Sequence, residues 1–309
     1  MKKRRVIDFH AHVGDIFHEN KNITFKTNVK KYEYMDPFAD LEESGFDRPV
    51  IVQDEKQHAV LIEAGQYKVW ESTLAKLSKD IDESQLDYVC LLPILPNTTF
   101  EEYLAASMLD KRIIPFTCAD FTLPIEEMVA KLKKDIGRGA KGLKIHPVLQ
   151  NTSLSDPRVH AAVEVFGEAG LPVTPHCGVN EYYTPDKPYE TNAEYGDVKY
   201  VIELFHEYPD YIIVAAHGGG TTGGEMEILA EETKGLKNVY TDTSIRNAEY
   251  MYKAVELFGE DRVMFATDYP FFSFKHSLEQ CEKAFASEPE VLDKVLFKNS
   301  ARLLHLYDG

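Results

Sequence analysis

The chain has 309 residues, 44% hydrophobic and 28% charged, a globular composition that excludes disorder and collagen-like repeats and allows one large core. Its formal charge of −17, from 51 acidic and 34 basic side chains, argues against nucleic acid or an anionic membrane as partner, since most of the surface would repel either. With no apolar stretch near 18 residues and no CxxC pair among Cys90, Cys118, Cys177 and Cys281, a soluble protein of the reducing cytoplasm acting on a small molecule is expected.

The opening Met1-Lys2-Lys3-Arg4-Arg5 reads as a solvated basic tail, because Asp8, His10 and His12 interrupt the apolar segment a signal peptide needs. The first strand is predicted over Val6 to His10. About 75 residues then precede the second strand, twice the usual strand–helix unit. They hold an apolar run at Pro49 to Gln53 and a helical pattern from Ala59 to Lys79. This stretch, about 13–86, reads as an insertion over the barrel mouth, with Pro49 to Gln53 as an alternative barrel strand. Further β-branched apolar runs follow at Tyr88 to Pro93, Ile113 to Cys118, Gly142 to His146, Pro172 to His176, Ile212 to Ala216, Val239 to Thr243 and Val263 to Thr267. Helical patterns at Ile125 to Ile136, Val159 to Ala169, Val198 to Glu207 and Tyr250 to Phe258 lie between them. Alternating strands and helices at this spacing predict an α/β fold, a (β/α)₈ TIM barrel in one domain over 1–309.

Side chains alternate along a strand, so Asp8, His10 and His12 share one face while Ile7, Phe9 and Ala11 share the other. The apolar set packs under the helices, and the polar set faces the C-terminal mouth, where barrel enzymes keep their chemistry. Lys144 and His146 close the fourth strand, His176 closes the fifth, His217 follows the sixth and Asp268 ends the eighth. Any one of these alone reads as a hydrogen-bonded core residue. Five strands aiming titratable groups at one mouth read as a site. Neutral imidazole and carboxylate are zinc ligands, and an open coordination position marks a catalytic centre. Iron, manganese, nickel and cobalt accept the same donors. His18, His58, His160, His206, His276 and His305 fall in loops or helices and receive no role.

The strings Asp8-Phe9-His10-Ala11-His12, Gly142-Leu143-Lys144-Ile145-His146-Pro147, His176-Cys177-Gly178, His217-Gly218-Gly219, Ala266-Thr267-Asp268-Tyr269-Pro270 and Asn299-Ser300-Ala301-Arg302-Leu303-Leu304 resemble the amidohydrolase superfamily. The similarity is to the amidohydrolase-2 branch of metal-dependent hydrolases and aminocarboxymuconate semialdehyde decarboxylase-like enzymes. It implies His10, His12, His176 and Asp268 as ligands of one divalent ion, expected to be zinc, with His217 and Asp268 as the catalytic pair. Binuclear relatives bridge two ions through a carboxylated fourth-strand lysine, so Lys144 leaves a second metal open. An unmodified Lys144 fixing a substrate anion is the preferred reading, and His146 shares its face and can do either job. A homodimer is a further expectation of the resemblance.

The expected reaction is hydrolysis of a small carboxylate-bearing amide, ester or lactone, by water that the divalent ion acidifies. Asp268 is then the base and His217 the oxyanion stabiliser or acid. The alternative is non-oxidative decarboxylation of a small unsaturated or aromatic acid, with a proton delivered to carbon. Asn180, Tyr182 and Tyr183 after the fifth strand and Arg246 after the seventh are candidate substrate contacts. Arg246 reads equally as a carboxylate clamp and as half of a surface ion pair. Gly137-Arg138-Gly139-Ala140-Lys141-Gly142 follows a helix and enters a strand, the reverse of the order dinucleotide binding needs. His217-Gly218-Gly219-Gly220 lacks the G-x-S-x-G elbow of an esterase.

Overall fold

The computed structural model describes residues 4–18, 20, 23–44, 55–187, 189–221 and 223–306. Strands β1 (Ile7–Ala11), β2 (Tyr88–Leu91) and β3 (Ile113–Pro115) form one parallel sheet. A second parallel sheet holds β4 (Thr117–Cys118), β5 (Leu143–Ile145), β6 (Val173–Pro175), β7 (Ile213–Ala215), β8 (Val239–Asp242) and β9 (Val263–Met264), neighbours in chain order. The two sheets are one ring. At one seam the Phe116 N–H donates to the Leu91 carbonyl while Thr117 donates to Gly142, so β3 and β4 are halves of the third barrel strand and β5 to β9 are the fourth to eighth. Gly142 permits this junction, because a Cβ there would lie 2.3 Å from the Phe116 ring. At the other seam Phe9 donates to the Phe265 carbonyl and Asp268 to the His10 carbonyl, each at 2.9 Å. The TIM barrel read from the strand spacing is the fold.

Between β1 and β2 lie α1 (Pro37–Ser44), α2 (Glu55–Glu71) and α3 (Leu74–Ser84). The helical pattern from Ala59 to Lys79 is thus two helices. The chain breaks at Thr73, whose side chain accepts the Lys76 N–H and caps α3. Helix α3 buries Leu74, Leu77 and Ile81 in the main core, so it belongs to the ring. The cover is made of the loop after β1 and of α2: Ile16, Phe17, Ala64 and Val69 pack with Ile94, Phe271 and Phe272 in a separate cluster. Among the described residues of 13–86, the cover over the mouth therefore comes from those before α3. The run Pro49 to Gln53 lies outside the described residues.

The ring continues through α4 (Phe100–Leu109), α5 (Ile125–Gly137), α6 (Pro157–Glu168), α7 (Val198–Glu207), α8 (Glu225–Glu232), α9 (Ala248–Phe258) and α10 (Phe274–Ala284). Their starts are written in the sequence: Thr99 and Glu102 form a reciprocal capping box on α4, and Asp156, Asp197, Asn247 and Ser273 cap α6, α7, α9 and α10. Helix α7 buries Val198, Val201, Leu204 and Phe205 on one stripe, each side chain contributing about 1.5–3 kcal/mol of apolar burial. Among the described residues no helix is long and apolar enough to cross a membrane.

Asp110, at the end of α4, accepts from Arg112 Nη2 and from Ser78 Oγ of α3, both at 2.7 Å. The Arg112 guanidinium holds its carboxyl down to about 2. A depressed folded-state value means that this stabilisation is present above the unfolded value near 4 and fades as pH falls toward about 2. Asp110→Asn is expected to flatten that acid limb in a series of melting temperatures. An unchanged slope would remove Asp110 from the acid transition.

Candidate active site

The closing seam of the barrel brings three predicted residues together. His10 Nδ1 lies 2.9 Å from Asp242 Oδ2; a carboxylate only accepts, so Nδ1 carries the proton and Nε2 keeps its lone pair. His12 Nδ1 lies 2.7 Å from the Leu92 carbonyl, which leaves His12 Nε2 bare for the same reason. Asp268 Oδ1 stands 3.2 Å from His12 Nε2 and 3.7 Å from His10 Nε2. One donor atom from each of these buried residues lies within 4.8 Å of the others. Two imidazoles with outer partners fixing their tautomers, plus one carboxylate, are a donor set that fits a divalent ion.

Burial pushes His10, His146, His176 and His217 well below the ordinary histidine range, so all four are neutral and able to bind through a lone pair. For Asp268 burial acts upward, yet the carboxyl is held below its usual range, with the nearby Lys144 ammonium acting downward. Lys144 is fully buried, with Nζ 2.9 Å from His10 Nε2. Burial brings its ammonium down to about 8.

His176, expected as the fourth ligand, belongs to a second cluster. Its Nδ1 is 3.1 Å from His217 Nε2, and its Nε2 is 2.9 Å from the Tyr182 hydroxyl. His146 stacks on it with ring centroids 4.1 Å apart and accepts the Leu149 N–H at Nδ1. His217 continues through Nδ1 to Ser244 Oγ at 2.7 Å, and the Ser244 hydroxyl donates to Asp242 Oδ1. His217 and Asp268 both have φ of 58°. Left-handed backbone is unfavourable for such residues and persists where surroundings impose it, a frequent mark of a functional site.

Of the loop residues, Tyr182 meets an imidazole of this cluster through its hydroxyl. Tyr183 donates to the Phe17 carbonyl under the cover, and Asn180 Nδ2 is 2.8 Å from Thr221 Oγ1. Arg246 is buried, which overturns the surface ion pair: its Nη2 donates to the His217 and Gly220 carbonyls, and its guanidinium lies over Tyr250. It anchors the glycine-rich loop that carries His217. Arg246→Met strands two buried carbonyls and is expected to cost about 2–4 kcal/mol in urea unfolding. A loss under about 0.5 kcal/mol, the level of a surface change, would mean the anchor is redundant.

Asp8, on the inner face as predicted, accepts from the Thr267 hydroxyl and N–H and from the His10 N–H, and burial pushes its carboxyl up to about 8. It ties the seam together below the site. Asp242 and Ser244 received no role from the sequence. The signal was present, since Asp242 ends its strand just as Asp268 follows its own.

A family model described as an amidohydrolase matches residues 7–306, and no curated protein matches the chain. Among solved structures, the chain is similar to a 5-carboxyvanillate decarboxylase from Sphingomonas paucimobilis at 14% identity and TM-score 0.64, covering 99% of this chain and 100% of that one. A dihydroxybenzoic acid decarboxylase from a Polaromonas species, with bound manganese, aligns at 14% identity and TM-score 0.66 over 99% and 98%. A putative 2-pyrone-4,6-dicarboxylic acid hydrolase from Pseudomonas putida aligns at 15% and 0.62 over 99% and 100%. At these identities the likeness is one of fold, and it is the match over residues 7–306 that assigns the family: the chain belongs to the amidohydrolase-2 family of TIM-barrel proteins.

Proposed function

We propose that the protein is a metal-dependent hydrolase of a small carboxylate-bearing amide, ester or lactone. The observation that carries this is the pair of adjoining clusters: His10, His12 and Asp268 on one side, the His176 Nδ1 and His217 Nε2 contact at 3.1 Å on the other, and Lys144 beside His10. His10, His12 and Asp268 would hold a divalent ion, zinc first and manganese second to test. When bound, such an ion supplies Lewis-acid polarisation of a substrate oxygen and acidifies water. Asp268, 7% exposed and so the most accessible of the three, takes the proton from the attacking water and returns it to the leaving group. His217, its Nε2 lone pair turned inward, is placed to take up a proton and, once protonated, to donate it to the developing oxyanion. The buried Lys144 ammonium attracts the substrate carboxylate.

Two further readings have their own support. Decarboxylation draws on the aromatic cover of Phe17, Tyr182 and Phe271, which suits a flat acid in a dry site, and on neighbours described as decarboxylases. A second ion draws on the convergence of His176 and His217 next to Lys144, which carboxylation would turn into a bridging ligand. Metal-loaded enzyme incubated with carboxylated lactones, amides and esters and with hydroxybenzoates, monitored for new carboxylate and for carbon dioxide, tests the choice. Carbon dioxide as the product would replace hydrolysis by decarboxylation.

A further inference from the structure

Beneath the candidate site, a single carboxylate touches both clusters. Asp242 Oδ2 meets His10 Nδ1 at 2.9 Å. Its Oδ1 accepts the His217 N–H at 3.0 Å, the Ser244 N–H at 3.1 Å and the Ser244 hydroxyl. The same hydroxyl oxygen lies 2.7 Å from His217 Nδ1. All these groups are buried, with Asp242 and Ser244 at most 1% exposed.

Donor counting leaves one assignment. The Ser244 hydrogen is spent on Asp242, so Ser244 Oγ can only accept from His217. His217 Nδ1 therefore carries the proton, as His10 Nδ1 does against Oδ2. We propose that Asp242 and Ser244 form a positioning fork that holds His10 and His217 both as Nδ1–H tautomers and turns both Nε2 lone pairs into the site. One prong acts directly on the metal-side histidine. The other acts through a hydroxyl on the acid/base histidine, so the Asp242 carboxylate also stands ready to balance a proton gained at His217 Nε2. The catalytic meaning rests on the role given to His217 above, whereas the tautomers themselves are a property of the metal-free protein.

The two prongs come apart by mutation. Ser244→Ala removes the Nδ1 acceptor of His217 alone. Asp242→Asn acts on His10: the three donors at Oδ1 require the amide oxygen there, so the amide nitrogen faces His10 Nδ1, which must then accept and move its proton to Nε2.

The test is a two-bond ¹H–¹⁵N spectrum of full-length, metal-free protein labelled at histidine, with His10→Gln and His217→Gln used for assignment. Wild type is expected to show both rings as Nδ1–H. Ser244→Ala should release His217 to the Nε2–H or a mixed form with His10 unchanged, Ser244→Thr should restore the wild-type pattern, and Asp242→Asn should convert His10. In a zinc titration Asp242→Asn should bind roughly 10–100-fold more weakly. Either ring found as Nε2–H in wild type overturns the proposal, as does a His217 signal unmoved by Ser244→Ala. The wild-type spectrum decides even if a variant does not fold, and it does so whether or not the enzyme proves to be a hydrolase.

Discussion

Asp268→Asn is expected to lower turnover by roughly 10²- to 10⁴-fold, the usual contribution of a well-placed acid or base, while leaving the barrel folded. The amide matches the carboxylate in shape, and the seam bond from Asp268 N to the His10 carbonyl is made by backbone, so it is undisturbed. The amide cannot take a proton from water. It is also a weaker ligand, so metal content must be measured beside kcat: a rate loss at full occupancy isolates the base, whereas a loss that tracks occupancy isolates the ligand. Turnover within tenfold of wild type at full occupancy would take Asp268 out of the chemistry.

Adding zinc or manganese to metal-stripped protein is expected to raise its melting temperature. Stabilisation follows from binding to the folded state alone: an ion at 100 times its Kd contributes about 2.7 kcal/mol, which for a chain of this size is a rise of roughly 4 °C. The rise should vanish in His10→Ala and His12→Ala, because the triad is assembled by the closing seam and does not exist in the unfolded chain. Stoichiometry carries a second result. One ion per chain supports the mononuclear centre, and two ions that fall to one in Lys144→Gln would make Lys144 a bridge. No shift with either ion would dismiss the triad as a metal site.

Much of this was readable in advance because it is local. Alternation along Val6 to His12 placed Asp8 and His10 on the inner face, strand ends marked Lys144, His146, His176 and Asp268, and cap residues such as Asp156 and Asn247 marked helix starts. The break at Thr73 was missed because the apolar pattern runs through it, although a Thr three residues before a backbone N–H it can cap is itself a local signal. The surface ion pair, one of two readings offered for Arg246, fails for another reason: only the packing of the loop at Gly220 shows two carbonyls waiting for a buried guanidinium.

Alone, then, the order and spacing of residues determined the barrel, its single mouth and which side chains arrive there, since strand periodicity and capping depend on neighbours a few positions apart. What each side chain faces on arrival was decided only by the closed ring. His10 and Asp242 lie 232 positions apart, and no periodicity links them. Their contact, the turning of His176 toward Tyr182 and His217, and the grouping of His10 and His12 with Asp268 follow from strands brought side by side, because hydrogen-bond partners in a barrel are set by registers between strands and not by distance along the chain.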